Sequence, residues 1–184
     1  MSENAVMISI RPNWVQKILS GEKTLEIRKT RPKIDPPFKC FIYETMGETA
    51  IPWMDEDGHM VFNGRGMAVA EFICDEFKVI PFDRNHNSDL TRIQTEGSCL
   101  TAVQIMDYLK QGSMYGVTGF GWHISDLKIY RNPKPLSDFH SPCGECDGCD
   151  TMSLNNHICL KTLKRAPQSW AYVEYYGEHL NDGR

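Results

Sequence analysis

The chain has 184 residues, which is enough for one well-buried core and short for two. Hydrophobic residues make up 41% and charged residues 24%, an ordinary globular composition that excludes a disordered or fibrous chain. The formal net charge of -4 argues against an indiscriminate nucleic-acid binder.

No stretch of the chain approaches the roughly 18 consecutive apolar residues that a membrane span requires. The first five residues lead into a strand punctuated by polar residues, and not into the apolar region of a signal peptide. We therefore expect one domain over residues 1–184, located in the cytoplasm and without a membrane partner.

The first predicted unit is a strand, a short helix and a second strand between Ile8 and Arg28. Asn13 can cap the helix, and Gln16 stands three residues later as its capping-box partner. Gly21 occupies the place where a left-handed residue commonly ends a helix. The helix is therefore expected to be about two turns long.

After the glycine, the apolar residues alternate with polar ones. Leu25 and Ile27 are predicted to be buried, whereas Thr24, Glu26 and Arg28 are predicted to share the opposite face. Arg28 would bind a phosphate or a carbonyl, and Glu26 would accept from a base amino group or orient Arg28. The alternative is a solvated strand face with an internal ion pair worth only about 0–1 kcal/mol.

Further basic and polar residues surround this predicted face. Lys23 would supply a point charge, and Ser9 and Arg11 alternate with apolar residues on the first strand, so they could border the same cleft. Between Arg11 and Lys33 there are seven basic and two acidic residues, an excess of +5 that leaves -9 for the rest of the chain. A local basic face on an acidic protein suggests a confined anionic ligand.

The rest of the chain is predicted to contain four more strands and a second helix. The helix begins at Thr101 with Gln104 as its capping-box partner and buries Ala102, Ile105, Met106 and Leu109. Residues 45–65 look like a loop or a loose hairpin. The strands are Phe38–Glu44, a long one over Gly66–Ile80 that should bend or contain a bulge, Trp122–Tyr130 and Ser169–Tyr176.

This order of elements predicts an α+β fold. Strands outnumber helices and lack the regular alternation of a parallel doubly wound sheet. We therefore expect a small mixed or largely antiparallel β-barrel with two covering helices, the first of which plugs one end. Three tryptophans, Trp14, Trp53 and Trp122, could stack on a base, although core packing is favoured for Trp122.

A cysteine-rich insert is predicted at residues 140–160. Four thiolates, or three with His157 as the alternative ligand, would close a tetrahedral structural Zn²⁺ site with no open position for water. The spacing also occurs in iron-sulfur loops, and reduced thiols or a disulfide are the remaining alternative. The insert could also contact a protein partner. The predicted ligands are Cys143, Cys146, Cys149 and Cys159.

Three sequence strings together resemble the ASCH domain family, whose members are PUA-like small β-barrels. The resemblance covers roughly residues 5–130 and the last strand, and it implies a cleft beside the first helix that binds RNA, single-stranded nucleic acid or a nucleotide-sized ligand. The strings are Ile8-Ser9-Ile10-Arg11-Pro12, Leu19-Ser20-Gly21-Glu22-Lys23-Thr24-Leu25-Glu26-Ile27-Arg28 and Gly121-Trp122-His123-Ile124-Ser125-Asp126-Leu127-Lys128-Ile129-Tyr130.

The resemblance also implies an enzymatic alternative in the same cleft. Some relatives are amidohydrolases of N4-acylated cytidine that use a lysine, a threonine three residues further on and a distal glutamate, and others are ribonucleases. Here Lys23 matches the lysine, but Glu26 occupies the threonine position. A carboxylate cannot simply replace a hydroxyl nucleophile, so a binding module is preferred; Lys23 and Glu26 would be the catalytic residues of an enzyme.

Overall fold

The computed structural model describes residues 5–46, 53–54, 60–61, 66–81, 95–111, 118–142 and 162–175. Within these residues there are two α-helices, α1 (Pro12–Leu19) and α2 (Ala102–Lys110). The strands are β1 (Ala5–Ile10), β2 (Leu25–Arg28), β3 (Phe38–Glu44), β4 (Trp53–Met54), β5 (Met60–Val61), β6 (Met67–Cys74), β7 (Phe77–Ile80), β8 (Gly119–His123), β9 (Ser125–Pro135), β10 (Phe139–His140) and β11 (Trp170–Tyr175).

Two sheets and a small hairpin organise these strands. The larger sheet has six strands in the order β10-β11-β1-β3-β6-β9, in which only the pair β1 and β3 is parallel among the described pairings. The smaller sheet has the antiparallel order β2-β8-β7, and β4 pairs with β5 as a hairpin. The mixed sheet forms a half-barrel with two helices, which confirms the predicted α+β class.

The chain passes between the two sheets at two short breaks. The predicted long strand divides at Asp75 and Glu76, so that β6 lies in the six-stranded sheet and β7 in the three-stranded one. The next predicted strand divides in the same way at Ile124, between β8 and β9. Breaks at these points let one run of apolar residues serve both sheets.

Each helix buries an apolar stripe against a different part of the core. In α1, Val15 and Ile18 are buried in the cluster that includes Ile8, Ile10 and Trp122. A fully buried aliphatic side chain contributes about 1.5–3 kcal/mol, so a helix of two turns is held mainly by this packing.

Helix α2 packs on β2. Its buried residues Ile105, Met106 and Leu109 cluster with Leu25 and Ile27, which confirms the predicted burial of these two strand residues. Ala102, predicted to be buried with them, is half-buried. The polar face of β2 is therefore turned away from α2's apolar stripe.

The predicted start of α1 is wrong by two residues. Arg11, and not Asn13, is the N-cap, and its side chain makes no capping hydrogen bond. Pro12 takes the first helical position, where its missing N–H costs nothing and its fixed φ suits the helix. The end was predicted correctly: Ser20 is the C-cap and Gly21 follows with φ +78°.

Two cysteines are free thiols in the core. Cys40 and Cys74 are buried, and burial raises the pKa of both, that of Cys74 to about 12, so they remain protonated and unreactive. Cys99 is also a free thiol, but it is exposed.

The predicted zinc ligands lie outside the described residues. In the described part, no three His, Cys, Asp or Glu side chains are grouped so that they could hold a metal ion. Neither described helix has the length and apolar character needed to cross a membrane.

Candidate functional site

A pocket of about 530 Å³ opens between α1, β2 and α2. It lies beside the first helix, where the sequence places the cleft. Four segments that are far apart in sequence contribute to it. The lining residues are Ser9, Ile10, Arg11, Trp14, Lys23, Glu26, Ile27, Arg28, Thr45, Leu100, Gln104, Tyr108, Gln111, Gln168 and Ser169.

Three charged side chains form a row along the floor of the pocket. Glu26 is central: one carboxylate oxygen lies 3.2 Å from the Lys23 ammonium, and the other lies 3.1 Å from the Arg28 guanidinium. The side chains of Glu26 and Arg28 are each 11% exposed, and that of Lys23 is 2% exposed. At this burial the three charges are stable only as a paired set.

The ammonium group of Lys23 is held by partners within the protein. Its Nζ donates to the backbone oxygen of Leu25 at 2.8 Å and to that of Ser98 at 2.7 Å, and it forms an ion pair with Glu26 at 3.2 Å. The side chain is 2% exposed, so little of this group is open to a ligand.

Arg28 connects β2 to β1 and to the segment before β11. Its Nη2 donates to the backbone oxygen of Ser9 at 2.6 Å, and its Nη1 reaches the hydroxyl of Ser169 at 3.4 Å. Its Nε is buried without a hydrogen-bond partner. The hydroxyl of Ser9 donates to the Pro167 oxygen at 2.6 Å, so Ser9 fixes the same segment.

The walls of the pocket are aromatic and amide-bearing. Trp14 of α1 and Tyr108 of α2 are half-buried. Burial raises the pKa of the Tyr108 hydroxyl, so this side chain is neutral at physiological pH. Gln111 and Gln168 are exposed at the edge. Two aromatic faces in one polar pocket suit a flat heterocyclic ligand.

Arg11 is the exposed cation of the lining. It stands at the N-cap of α1, where its side chain makes no capping hydrogen bond. The lining contains three cations, Arg11, Lys23 and Arg28, against the single carboxylate of Glu26, which gives an excess of two positive charges. Three of the seven basic residues between Arg11 and Lys33 therefore line this pocket.

One predicted site residue lies elsewhere. Thr24 is exposed and outside the pocket lining, which corrects the prediction that it shares a groove with Glu26 and Arg28. Its backbone N–H donates to the oxygen of Gly97 at 2.8 Å, and its side chain lies against this glycine. Strand β2 begins at Leu25, so Thr24 lies in the segment between α1 and β2. Its side chain therefore does not take part in the alternation of side chains along the strand.

Sequence reasoning missed Tyr108, Gln168 and Ser169. Tyr108 lies on a helix whose apolar stripe was recognised from the sequence. No local sequence pattern shows that the side of the helix that carries Tyr108 faces a cleft. Trp14 had been considered as a stacking residue and does line the pocket, whereas Trp122 is fully buried, as core packing requires. The side chain of Trp53 lies outside the described residues.

Solved structures of the ASCH protein from Zymomonas mobilis are similar to this chain. The ASCH structure has a TM-score of 0.52 at 18% identity, covering 91% of this chain and 86% of the other. A tyrosine-to-phenylalanine mutant gives 0.52 at 17% identity, covering 91% and 88%. A serine-to-alanine mutant gives 0.50 at 18% identity, covering 73% and 76%.

The chain has an ASCH-like fold. At this identity the similarity concerns the fold alone, and no protein-family model or curated protein matches the sequence. The ASCH-like fold places α1 between β1 and β2, and this connection brings Ser9, Arg11, Trp14 and Glu26 to one pocket.

Proposed function

We propose that this protein binds RNA or a nucleotide-sized ligand in the pocket between α1, β2 and α2. The observation that carries the proposal is one cavity of about 530 Å³ that combines the rings of Trp14 and Tyr108 with an excess of positive charge. Pockets for small ligands typically measure about 300–1,000 Å³. Stacking of a base on an aromatic side chain contributes about 1–3 kcal/mol.

The hydrogen bonds of the floor suggest how such a ligand lies. Lys23 is buried with two hydrogen bonds and an ion pair to Glu26, and Arg28 already binds Glu26 and the oxygen of Ser9. Glu26 has one ion-pair contact at each oxygen, and a carboxylate can accept about four hydrogen bonds. The floor therefore favours the N–H groups of a neutral base and disfavours a phosphate, which belongs at the rim beside Arg11.

The same bonds favour binding over amide hydrolysis. A lysine that activates a nucleophile must accept a proton, but the Lys23 ammonium is buried, donates two hydrogen bonds to backbone oxygens and pairs with Glu26. Glu26, at the threonine position of the hydrolytic relatives, is held between two cations and lacks a nucleophilic hydroxyl. A cytoplasmic location is part of the proposal, because the buried thiols of Cys40 and Cys74 suit a reducing compartment.

Arg11→Ala tests the proposed contact at the rim. The affinity for a short, fluorescently labelled single-stranded RNA should fall about fivefold to tenfold, because one phosphate contact is lost. For wild type, the slope of log affinity against log salt should be about -0.7, the value for one phosphate contact on a single strand, and in Arg11→Ala it should approach zero. Fluorescence anisotropy at several salt concentrations measures both quantities.

Lys128→Ala is the matched control. Lys128 is 73% exposed and lies outside the pocket, so this variant removes the same charge without touching the site. Equal losses in the two variants would contradict the proposal, since they would show attraction by net charge alone. A wild-type slope steeper than about -6 would also contradict it, because it would require a large phosphate-tracking surface.

The binding proposal also predicts no efficient release of cytidine from N4-acetylcytidine. The reaction is followed by chromatography of the nucleoside products after incubation with purified protein. Turnover that disappears in Lys23→Ala would make Lys23 catalytic and would replace the binding proposal with the hydrolase alternative. Shortening of the labelled RNA in the binding assay would instead indicate a ribonuclease.

A further inference from the structure

We infer that Lys23 is a positioning residue: it fixes the floor and one wall of the pocket and makes no contact with the ligand. The inference rests on the proposed function, since a positioning role is defined by the ligand that the pocket binds. It assigns to Lys23 a different role from the point charge or catalytic lysine that the sequence suggests.

The first argument is the burial of the ammonium group among partners within the protein. Lys23 is among the largest fully buried side chains, and its Nζ has three partners within 3.2 Å, namely the oxygens of Leu25 and Ser98 and the carboxylate of Glu26. A ligand group that approached Nζ would have to displace one of them, which would leave a buried polar group unpaired.

The second argument is the segment that Lys23 holds. Residues 95–100 lead into α2, and Leu100, at their end, lines the pocket. The Gly97 oxygen accepts from the N–H groups of Thr24 at 2.8 Å and Leu25 at 3.1 Å, next to the bond from Lys23 to Ser98. Ser98 is fully buried, and its backbone oxygen accepts a hydrogen bond from the Lys23 ammonium. Loss of this donor would leave a buried acceptor without its partner.

The third argument is the contact with α1. The Lys23 ammonium lies 5.4 Å from the centre of the Trp14 ring, within the range of a cation–π interaction. A single side chain thus contacts the α1 wall, the β2 floor and the segment that carries α2. Such a residue sets the width of the pocket through its neighbours.

Lys23→Met tests the inference, because methionine keeps the length of the side chain and removes its hydrogen bonds. The affinity for the labelled single-stranded RNA should fall about tenfold or more, since the floor and the segment lose their alignment. The slope against salt should stay unchanged, because Lys23 releases no counterion from a phosphate. Hydrogen exchange at the amides of Thr24 and Leu25 should become faster.

Two controls separate position from charge. Lys17→Met removes a lysine from α1 that is 42% exposed and pairs with Glu22 at 2.8 Å, so affinity and amide exchange should not change. Arg11→Ala should change the slope but leave amide exchange at Thr24 and Leu25 as in wild type. A slope change of about 0.7 in Lys23→Met, or an unchanged affinity, would overturn the inference.

Loss of one member of a buried ion pair can prevent folding, so a second variant is needed. Lys23→Met/Glu26→Gln removes both charges, and its reference is Glu26→Gln alone. The double variant should bind more weakly than this reference, with the same slope and faster exchange at Thr24 and Leu25. Equal affinity and equal exchange would overturn the inference.

Failure of the proposed function gives a different result. If the wild-type protein binds none of the RNA or nucleotide probes, the proposed function fails. Amide exchange still decides whether Lys23 holds the segment: protection that is unchanged in Lys23→Met would refute the positioning role in the absence of any ligand.

Discussion

Arg28 and Lys29 are neighbours in sequence, but their side chains have different partners. Arg28 is nearly buried, pairs with Glu26 at 3.1 Å and donates to the Ser9 oxygen at 2.6 Å. Lys29 points toward α2, where its Nζ donates to the Gln111 oxygen and lies 5.0 Å from the Tyr108 ring centre. Two adjacent cations therefore have different roles at the residue scale.

This difference predicts unequal effects of replacing the two cations with alanine. Arg28→Ala should lower the free energy of unfolding by about 3 kcal/mol, because Glu26 stays buried with one partner fewer. Lys29→Ala should cost less than about 1 kcal/mol, since its contacts are near the surface. Urea denaturation measures stability, and RNA affinity should also fall more in Arg28→Ala. Equal losses in stability and affinity would show that the buried ion pair and hydrogen bond of Arg28 do not set it apart from Lys29.

At the element scale, the two helices begin and end by different means. Helix α2 has a complete capping box. The backbone N–H of Gln104 donates to the Thr101 hydroxyl at 3.2 Å, and the backbone N–H of Thr101 donates to the side-chain oxygen Oε1 of Gln104 at 2.9 Å. Helix α1 starts at Pro12 without a side-chain cap and ends before Gly21. The pocket lies between these helices, so the segments that lead into and out of them define its shape.

Two glycines in those segments allow a matched comparison. Gly21 has φ +78° and open space where an added methyl group would lie, so Gly21→Ala should cost about 1 kcal/mol from backbone strain alone. Gly97 has φ +81°, and a methyl group there would collide with the Thr24 hydroxyl. Gly97→Ala should therefore be the more destabilising, as thermal unfolding would show.

Thr24→Ala decides whether the collision explains the difference. It removes the hydroxyl, so adding it to Gly97→Ala should bring the loss of stability close to that of Gly21→Ala. Simple additivity of the two substitutions would mean that the collision is relieved in some other way, since residues in contact normally couple.

At the scale of the whole molecule, the half-barrel separates the pocket from its other charged cluster. Glu71 accepts from the Tyr130 hydroxyl at 2.7 Å and lies 3.6 Å from Lys39 and 3.8 Å from Lys128, around a second cavity of about 380 Å³. This cavity shares no lining residue with the first. Substitutions of residues that line the second cavity therefore serve as controls in binding experiments, because they change no residue that lines the first.

The insert at residues 140–160 gives a prediction at this scale. We propose that Cys143, Cys146, Cys149 and Cys159, with His157 as the alternative fourth ligand, hold one structural zinc ion, because four thiolates fit its tetrahedral preference. Elemental analysis should find about one equivalent of zinc. Cys146→Ser should increase proteolysis within the insert and leave the half-barrel folded. A protein without metal, or an iron-sulfur absorption band, would contradict the assignment.

The sequence by itself determined the features that depend on near neighbours. The capping box of α2 involves residues three positions apart, the end of α1 depends on one glycine, and the burial of Leu25 and Ile27 follows from alternation along one strand. The resemblance to ASCH domains rests on the same local strings, and the ASCH-like fold confirms it.

Only the tertiary structure decided which residues share the pocket and which charges remain available there. Tyr108 and Ser169 reach it from other elements, and Lys23 is bonded to Ser98, 75 positions away. Contact with Gly97 holds Thr24 outside the pocket lining. Periodicity predicts which face of a strand a side chain is on, but it does not predict the partners of that side chain. Long-range hydrogen bonds therefore decided whether each cationic side chain is available to a ligand or is bound within the protein.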